Sequence, residues 1–148
     1  MSDLTSSSIV IQAPRKAVMA VITDFPAYPE WSGGFKSAEV TEPGPDGRAR
    51  QVRFVLDTGF LKDKFELLYD WEGDTRASYR LVNPTAVMAT LTGGYQLLDR
   101  DGGTEVVSEL AVGLRIPMLG MLKRKLQNTI VNQALKGLKK HVESLGDA

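Results

Sequence analysis

The sequence predicts an α+β fold in which a curved antiparallel sheet of seven strands wraps around one long C-terminal helix. Three observations carry this. Short stretches of alternating polar and apolar residues, separated by Gly- and Pro-containing turns, run from position 35 to 116. From Leu119 to Leu145 apolar residues recur instead every three or four positions. Between a first strand and the meander lies "DFPAYPEWSGG" (Asp24 to Gly34), with two prolines, three aromatics and a double glycine in eleven residues. That is too much rigid apolar bulk for a simple connector.

"LTSSSIVIQAP" reads as the first strand, with Thr5, Ser7, Ile9 and Ile11 on one face and Leu4, Ser6, Ser8 and Val10 on the other. Pro14 ends that ladder and suits the first turn of a short helix, in which Val18, Val21 and Ile22 recur at i, i+3, i+4. Pro26 and Pro29 stop this helix and leave room for a second short turn over Phe25 to Trp31. Strands follow at "FKSAEVTE" and "RARQVRFVLD", separated by the turn Pro43 to Gly47. After a tight turn at "DTGF", "LKDKFELLYDW" puts Leu61, Asp63, Phe65, Leu67, Tyr69 and Trp71 on one face. "TRASYRLV" comes next, then a hairpin of "VMATLTGGYQLLD" and "GTEVVSELAVGLRI" across Arg100 to Gly103. Pro117 marks the start of the final helix, whose apolar stripe reads Leu119, Leu122, Leu126, Ile130, Ala134, Leu138, Val142 and Leu145. Strands joined in sequence by tight turns pair antiparallel, and a helix this long must bury its stripe against them.

Composition narrows the function. The 148 residues suit a single domain over 1–148 and bury a sizeable core. Eighteen basic and eighteen acidic residues cancel, so nucleic acid is not the expected partner. There is no cysteine, which removes disulfides and thiolate chemistry. With one histidine as well, no metal site or other cofactor is expected. "MSDLTSSSIVI" is not a signal peptide and no apolar run is long enough to span a bilayer, so the expected location is cytoplasmic.

A strand, "APRKAVMAVITDFPAYPEWSGG", a meander with "GGYQLLD" near its end and a terminal helix together resemble the START/Bet v 1-like superfamily, and within it the polyketide cyclase/dehydrase and coenzyme Q-binding-protein branch. The residues that carry the resemblance are Asp24, Phe25, Pro26, Tyr28, Pro29 and Trp31. It implies a helix-grip fold with a cavity between sheet and helix that takes a hydrophobic small molecule: a lipid, polyketide or quinone. It also implies two alternatives, a cyclase or aromatase acting on a polyketide-like substrate, and a regulatory protein contacting ribosomes or membranes.

The strand phases give the lining expected of such a cavity: Trp31, Phe54, Phe65, Leu67, Tyr69, Tyr79, Leu91, Tyr95, Ser108, Leu110, Leu122 and Leu126. Tyr28, Pro29 and Trp31 serve first to pack the short helices, with Trp31 also at the cavity mouth. Asp63 is the one candidate acid or base, since it shares a phase with Phe65, but its place beside a turn favours a solvated rim. Arg53, out of phase with Phe54, is expected to face water. His141 reads as a cation near a helix C-terminus, with no nucleophile elbow to make a triad. The cations Lys123 to Lys125, Lys136, Lys139 and Lys140 read most simply as a solvated helix face. The alternative is peripheral contact with an anionic membrane, helped by Met118, Leu119 and Met121.

Overall fold

In a computed structural model of the chain, residues 4–57, 59, 62–115 and 117–146 are described. Strand β1 (Thr5–Ile11) leads into α1 (Arg15–Thr23), a 3-10 turn (Phe25–Ala27) and α2 (Tyr28–Trp31). Six strands follow: β2 (Phe35–Pro43), β3 (Ala49–Asp57), β4 (Lys62–Glu72), β5 (Arg76–Leu81), β6 (Met88–Arg100) and β7 (Gly103–Leu114). Helix α3 (Gly120–Gly146) closes the chain. All seven strands form one sheet in the order β1-β7-β6-β5-β4-β3-β2, and every neighbouring pair is antiparallel. This is the α+β architecture that the alternating pattern implied, and the helix-grip fold that the resemblance implied.

Alternation sets which face is inside. Val52 and Phe54, Phe65 to Tyr69, and Val106 to Val112 are buried at every second position, with exposed or half-exposed residues between them. Cross-strand pairs hold these phases in register: Phe54 faces Phe65, Tyr69 faces Tyr79, and Leu97 faces Val106. The turns use glycine where the backbone enters the left-handed region, as at Gly73 between β4 and β5 and Gly102 between β6 and β7. Of the expected turn at Asp57 to Phe60, Asp57 accepts a hydrogen bond from the Gly59 N–H. Thr58, Phe60, Leu61 and Ile116 lie outside the described residues.

The terminal helix differs from expectation in two ways. It begins at Gly120, not Pro117, and the Lys123 N–H bonds back to the Leu119 carbonyl. Its buried stripe is Gln127, Val131, Leu135, Leu138 and Val142, so the stripe read from Leu119 through Ile130 is rotated away from the sheet. Leu122 and Ile130 are exposed and Leu126 is half-buried. The reason is polar. Gln127 is 1% exposed, its Oε1 accepts the Val112 N–H at 3.0 Å, and its Nε2 donates to Thr5 Oγ1 at 2.7 Å. Burying Leu126 in its place would orphan those groups.

Helix α3 packs on β1 and β7 and, further along, on α1 and α2. Its side chains also cover the outer edge of β1. Lys139 Nζ donates to the Val10 carbonyl at 2.7 Å, Glu143 Oε2 accepts the Gln12 N–H at 2.8 Å, and the two side chains pair with each other. Gly137 meets the Trp31 carbonyl so closely that a Cβ there would overlap it, which fixes α2 against α3.

Replacing Gln127 by Leu fills the space but strands Val112 N–H and Thr5 Oγ1. A loss of about 2–4 kcal/mol is expected, read as a lower urea midpoint with unchanged slope. The Glu143 carboxyl is held below its usual value of 4.5 by the Gln12 N–H and by Lys139. A lowered acid stabilises the fold above that usual value, and the benefit is lost as pH falls through the lowered one. Glu143→Gln is therefore expected to lower the melting temperature at neutral pH, with the gap to the native chain closing under acid.

Candidate functional site

One end of the interior is built from rings. Phe25, fully buried, stacks on Tyr28 at 4.8 Å between centroids and meets Tyr69 edge-on at 5.0 Å, with Phe54 and Trp71 near 6 Å. Tyr28 also lies 4.8 Å from Trp31, and Phe54 stacks on Phe65 at 5.6 Å. The prolines of "DFPAYPEW" set this up, because they confine the backbone to short turns that drop Phe25, Tyr28 and Trp31 onto the sheet. This bulk closes that end.

Towards β5, β6 and β7 the inward face is different. Tyr79, Leu81, Leu91, Tyr95 and Leu114 pack against the core but keep accessible surface. Gly93 lies opposite both Tyr79 and Leu110, and the space a side chain would take there is filled by the Tyr79 phenol, with Oη 2.6 Å from where a Cβ would stand, and by the Glu109 carbonyl. The "GG" of the penultimate strand is thus a place where backbone and phenol approach closely, and Gly94 meets the Ala77 carbonyl in the same way.

All four tyrosines of the chain, Tyr28, Tyr69, Tyr79 and Tyr95, point into this interior. Tyr28 donates to the Ile22 carbonyl at 2.7 Å and lies within hydrogen-bonding reach of Tyr69. Burial raises all four phenol pKa values: Tyr95 to about 12, the other three well above the usual 10. For Tyr28, Tyr69 and Tyr79 the neighbouring phenols add to the shift. They are neutral hydrogen-bonding groups in an apolar setting. The Trp31 indole Nε1–H is also buried, and it donates to nothing among the described residues.

Ten of the twelve expected lining residues lie in or beside this region. Trp31, Phe54, Phe65, Leu67, Tyr69, Ser108 and Leu110 are buried, and Tyr79, Leu91 and Tyr95 are half-buried. Leu122, 54% exposed, stands outside the core and Leu126 flanks it, for the reason given for α3. Asp63 keeps its expected phase opposite Leu56, but its Oδ2 accepts the Thr85 hydroxyl at 2.7 Å, and Thr85 Oγ1 in turn accepts the N–H groups of Val87 and Met88. The carboxylate thereby organises the loop before β6. Arg53 faces outward and pairs with Glu66, and His141 is half-buried near the end of α3. Sequence reading did not single out Thr85 or Gln127. The only signal for Gln127 was a polar residue beside an apolar stripe. An open groove of about 550 Å³ runs along the outer side of α3 past Met121, Lys125 and Lys136.

Residues 4–143 match the family model described as polyketide cyclase/dehydrase and lipid transport. The chain belongs to this family. Its fold is that of the START/Bet v 1-like superfamily, and solved structures agree. A START superfamily protein from Mycobacterium smegmatis superposes with a TM-score of 0.88 at 20% identity, covering 96% of this chain and 98% of that one. The Zhui aromatase/cyclase from Streptomyces sp. R1128 superposes at 0.79 with 15% identity, covering 97% and 94%. A protein from Thermus thermophilus gives 0.79 at 23% identity, covering 97% and 99%. At such identities these likenesses speak for the fold. No curated protein sequence matches the chain significantly.

Because burial raises all four phenol pKa values, phenolate absorbance of the folded protein is expected to stay flat through pH 10, where free tyrosine is half ionised. Unfolded tyrosines lose their protons there and folded ones keep theirs, so stability falls as pH rises beyond 10. A titration in which one phenol ionises normally would place that ring in water.

Proposed function

We propose that the protein binds an uncharged hydrophobic small molecule between the β5–β7 face of the sheet and α3. The observation that carries this is the inward row Tyr79, Leu91 and Tyr95. These side chains pack against the core yet keep accessible surface, as groups lining a hollow do. Family membership supports the same reading.

The lining also speaks to the ligand. The inward strand positions near this row carry phenols, aliphatic groups and the Ser108 hydroxyl, but no cation, so a charged ligand would find no counter-ion. Unused phenol donors at Tyr79 and Tyr95 favour a molecule with carbonyl or ether oxygens. A quinone, a neutral polyketide or a neutral lipid fits this description. Apolar area would supply most of the affinity, at roughly 25 cal/mol per Å² before ordering costs.

The Zhui aromatase/cyclase shares the fold, which makes ring-closing catalysis the second reading. It requires a group that moves a proton. The phenols hold theirs too tightly, and Asp63 is engaged by Thr85. Binding without turnover is the better-supported function.

Native mass spectrometry of the purified protein is expected to show a co-purified small molecule, and the neutral dye Nile red should bind saturably and compete with it. Tyr79→Trp, which fills the row, is expected to abolish dye binding. Tyr95→Phe keeps the ring but removes a phenol donor and should weaken an oxygen-bearing ligand about five- to tenfold. Neither a co-purified molecule nor saturable dye uptake would end the proposal.

A further inference from the structure

The cations and exposed apolar groups of the chain are gathered at one place. Residues 110–142 hold seven of the eighteen basic residues and none of the eighteen acidic ones, so this segment carries +7 and the rest of the chain −7. The neutral total conceals a strongly dipolar molecule. At the start of the same segment's helix stand Met118, Leu119, Met121 and Leu122, which are 40%, 74%, 75% and 54% exposed. A single exposed apolar side chain is ordinary, but four within five positions form a patch that calls for a partner.

We infer that the first turn of α3, with Met118 and Leu119 leading into it, docks on an anionic lipid surface. The distribution around the helix selects lipid over a second protein surface. At roughly 100° per residue, Met121 lies about 200° around the axis from Leu119, on nearly the opposite side. A protein groove or a second copy of the helix would be met by one stripe. A tip that is apolar on opposite sides is satisfied by immersion. Lys123, Arg124 and Lys125 follow directly and, at that angular step, form a collar around the helix. Leu119 to Arg124 spans about 7–8 Å along the axis, matching the 5–10 Å depth at which interfacial helices bury their apolar side. The long stems of the collar can lie along the acyl boundary while their charges stay among the headgroups. Arg115 precedes the tip, and the groove beside α3 continues the cationic surface past Lys125 and Lys136. The acidic remainder of the chain is repelled by the same surface, so docking fixes an orientation. No helix among the described residues is long and apolar enough to cross a membrane, so the contact is peripheral. This inference stands apart from the proposed ligand, since neither the tip nor the collar belongs to the inward row.

The test is co-sedimentation of the intact protein with vesicles of phosphatidylcholine alone or mixed with phosphatidylglycerol. Binding is expected to the anionic vesicles, to fall with added salt, and to be weak on phosphatidylcholine. Lys123→Glu with Lys125→Glu should reduce partitioning at least about tenfold, and Leu119→Ser with Leu122→Ser should reduce it similarly. Circular dichroism checks that each variant is folded. As the chain has no cysteine, Met121→Cys can carry an environment-sensitive dye, which should shift to the blue on anionic vesicles alone. Three results would overturn the inference: no binding to anionic vesicles, binding indifferent to the lysine changes, or a dye that stays in water. A wild-type dimer that Leu119→Ser dissociates, without vesicle binding, would assign the patch to self-association instead.

Discussion

Gln127 is the one polar side chain that α3 buries against the sheet among the described residues, and much of the geometry follows from it. Strand β1 starts at Thr5, opposite Leu110, so the Val112 N–H two residues further along β7 takes its acceptor from the helix. The same amide holds Thr5 Oγ1. A buried donor without an acceptor is costly, so the rotation of α3 about its own axis has little freedom. With Gln127 facing the sheet, Val131, Leu135, Leu138 and Val142 must face it too, and Leu119, Leu122 and Ile130 are turned elsewhere. One hydrogen-bonded amide thus decides what the helix buries and which apolar groups it leaves outside.

The interior that results is uneven. Near α2 the rings of Phe25, Tyr28, Phe54, Phe65 and Tyr69 touch in succession and leave a solid plug. Across β5, β6 and β7 the inward residues include the half-buried Tyr79, Leu91 and Tyr95, and Gly93, which has no side chain. The two ends of the interior therefore differ, with rings packed closely at one and accessible surface kept at the other. The phenols keep their protons at every physiological pH.

Most of the strand phases could be read from the chain because a sheet with one buried face writes a period of two into its sequence; β3, β4 and β7 show it plainly. The aromatics of "DFPAYPEW" were likewise legible as bulk, since prolines forbid a longer helix there. The rotation of α3 was not. Leu126 and Gln127 are neighbours, the faces through them lie about 100° apart before both lines reach Leu138 and Val142, and both contain enough apolar residues to look like a core face. Only the hydrogen-bonding needs of Val112 and Thr5, distant in sequence, choose between them. The pairing of Asp63 with Thr85 and the lone indole donor of Trp31 depend on distant contacts in the same way.

The sheet is open, so it ends in two strands that could each recruit a strand from another molecule. On β1 the backbone groups of Val10 and Gln12 are already taken by Lys139 and Glu143. On β2 the pairing with β3 shifts register between Phe35 and Ser37 and twice more between Val40 and Pro43, while Glu39 and Glu42 project into solvent. Irregular spacing, negative charge and a terminal proline make that margin a poor template for edge-to-edge aggregation.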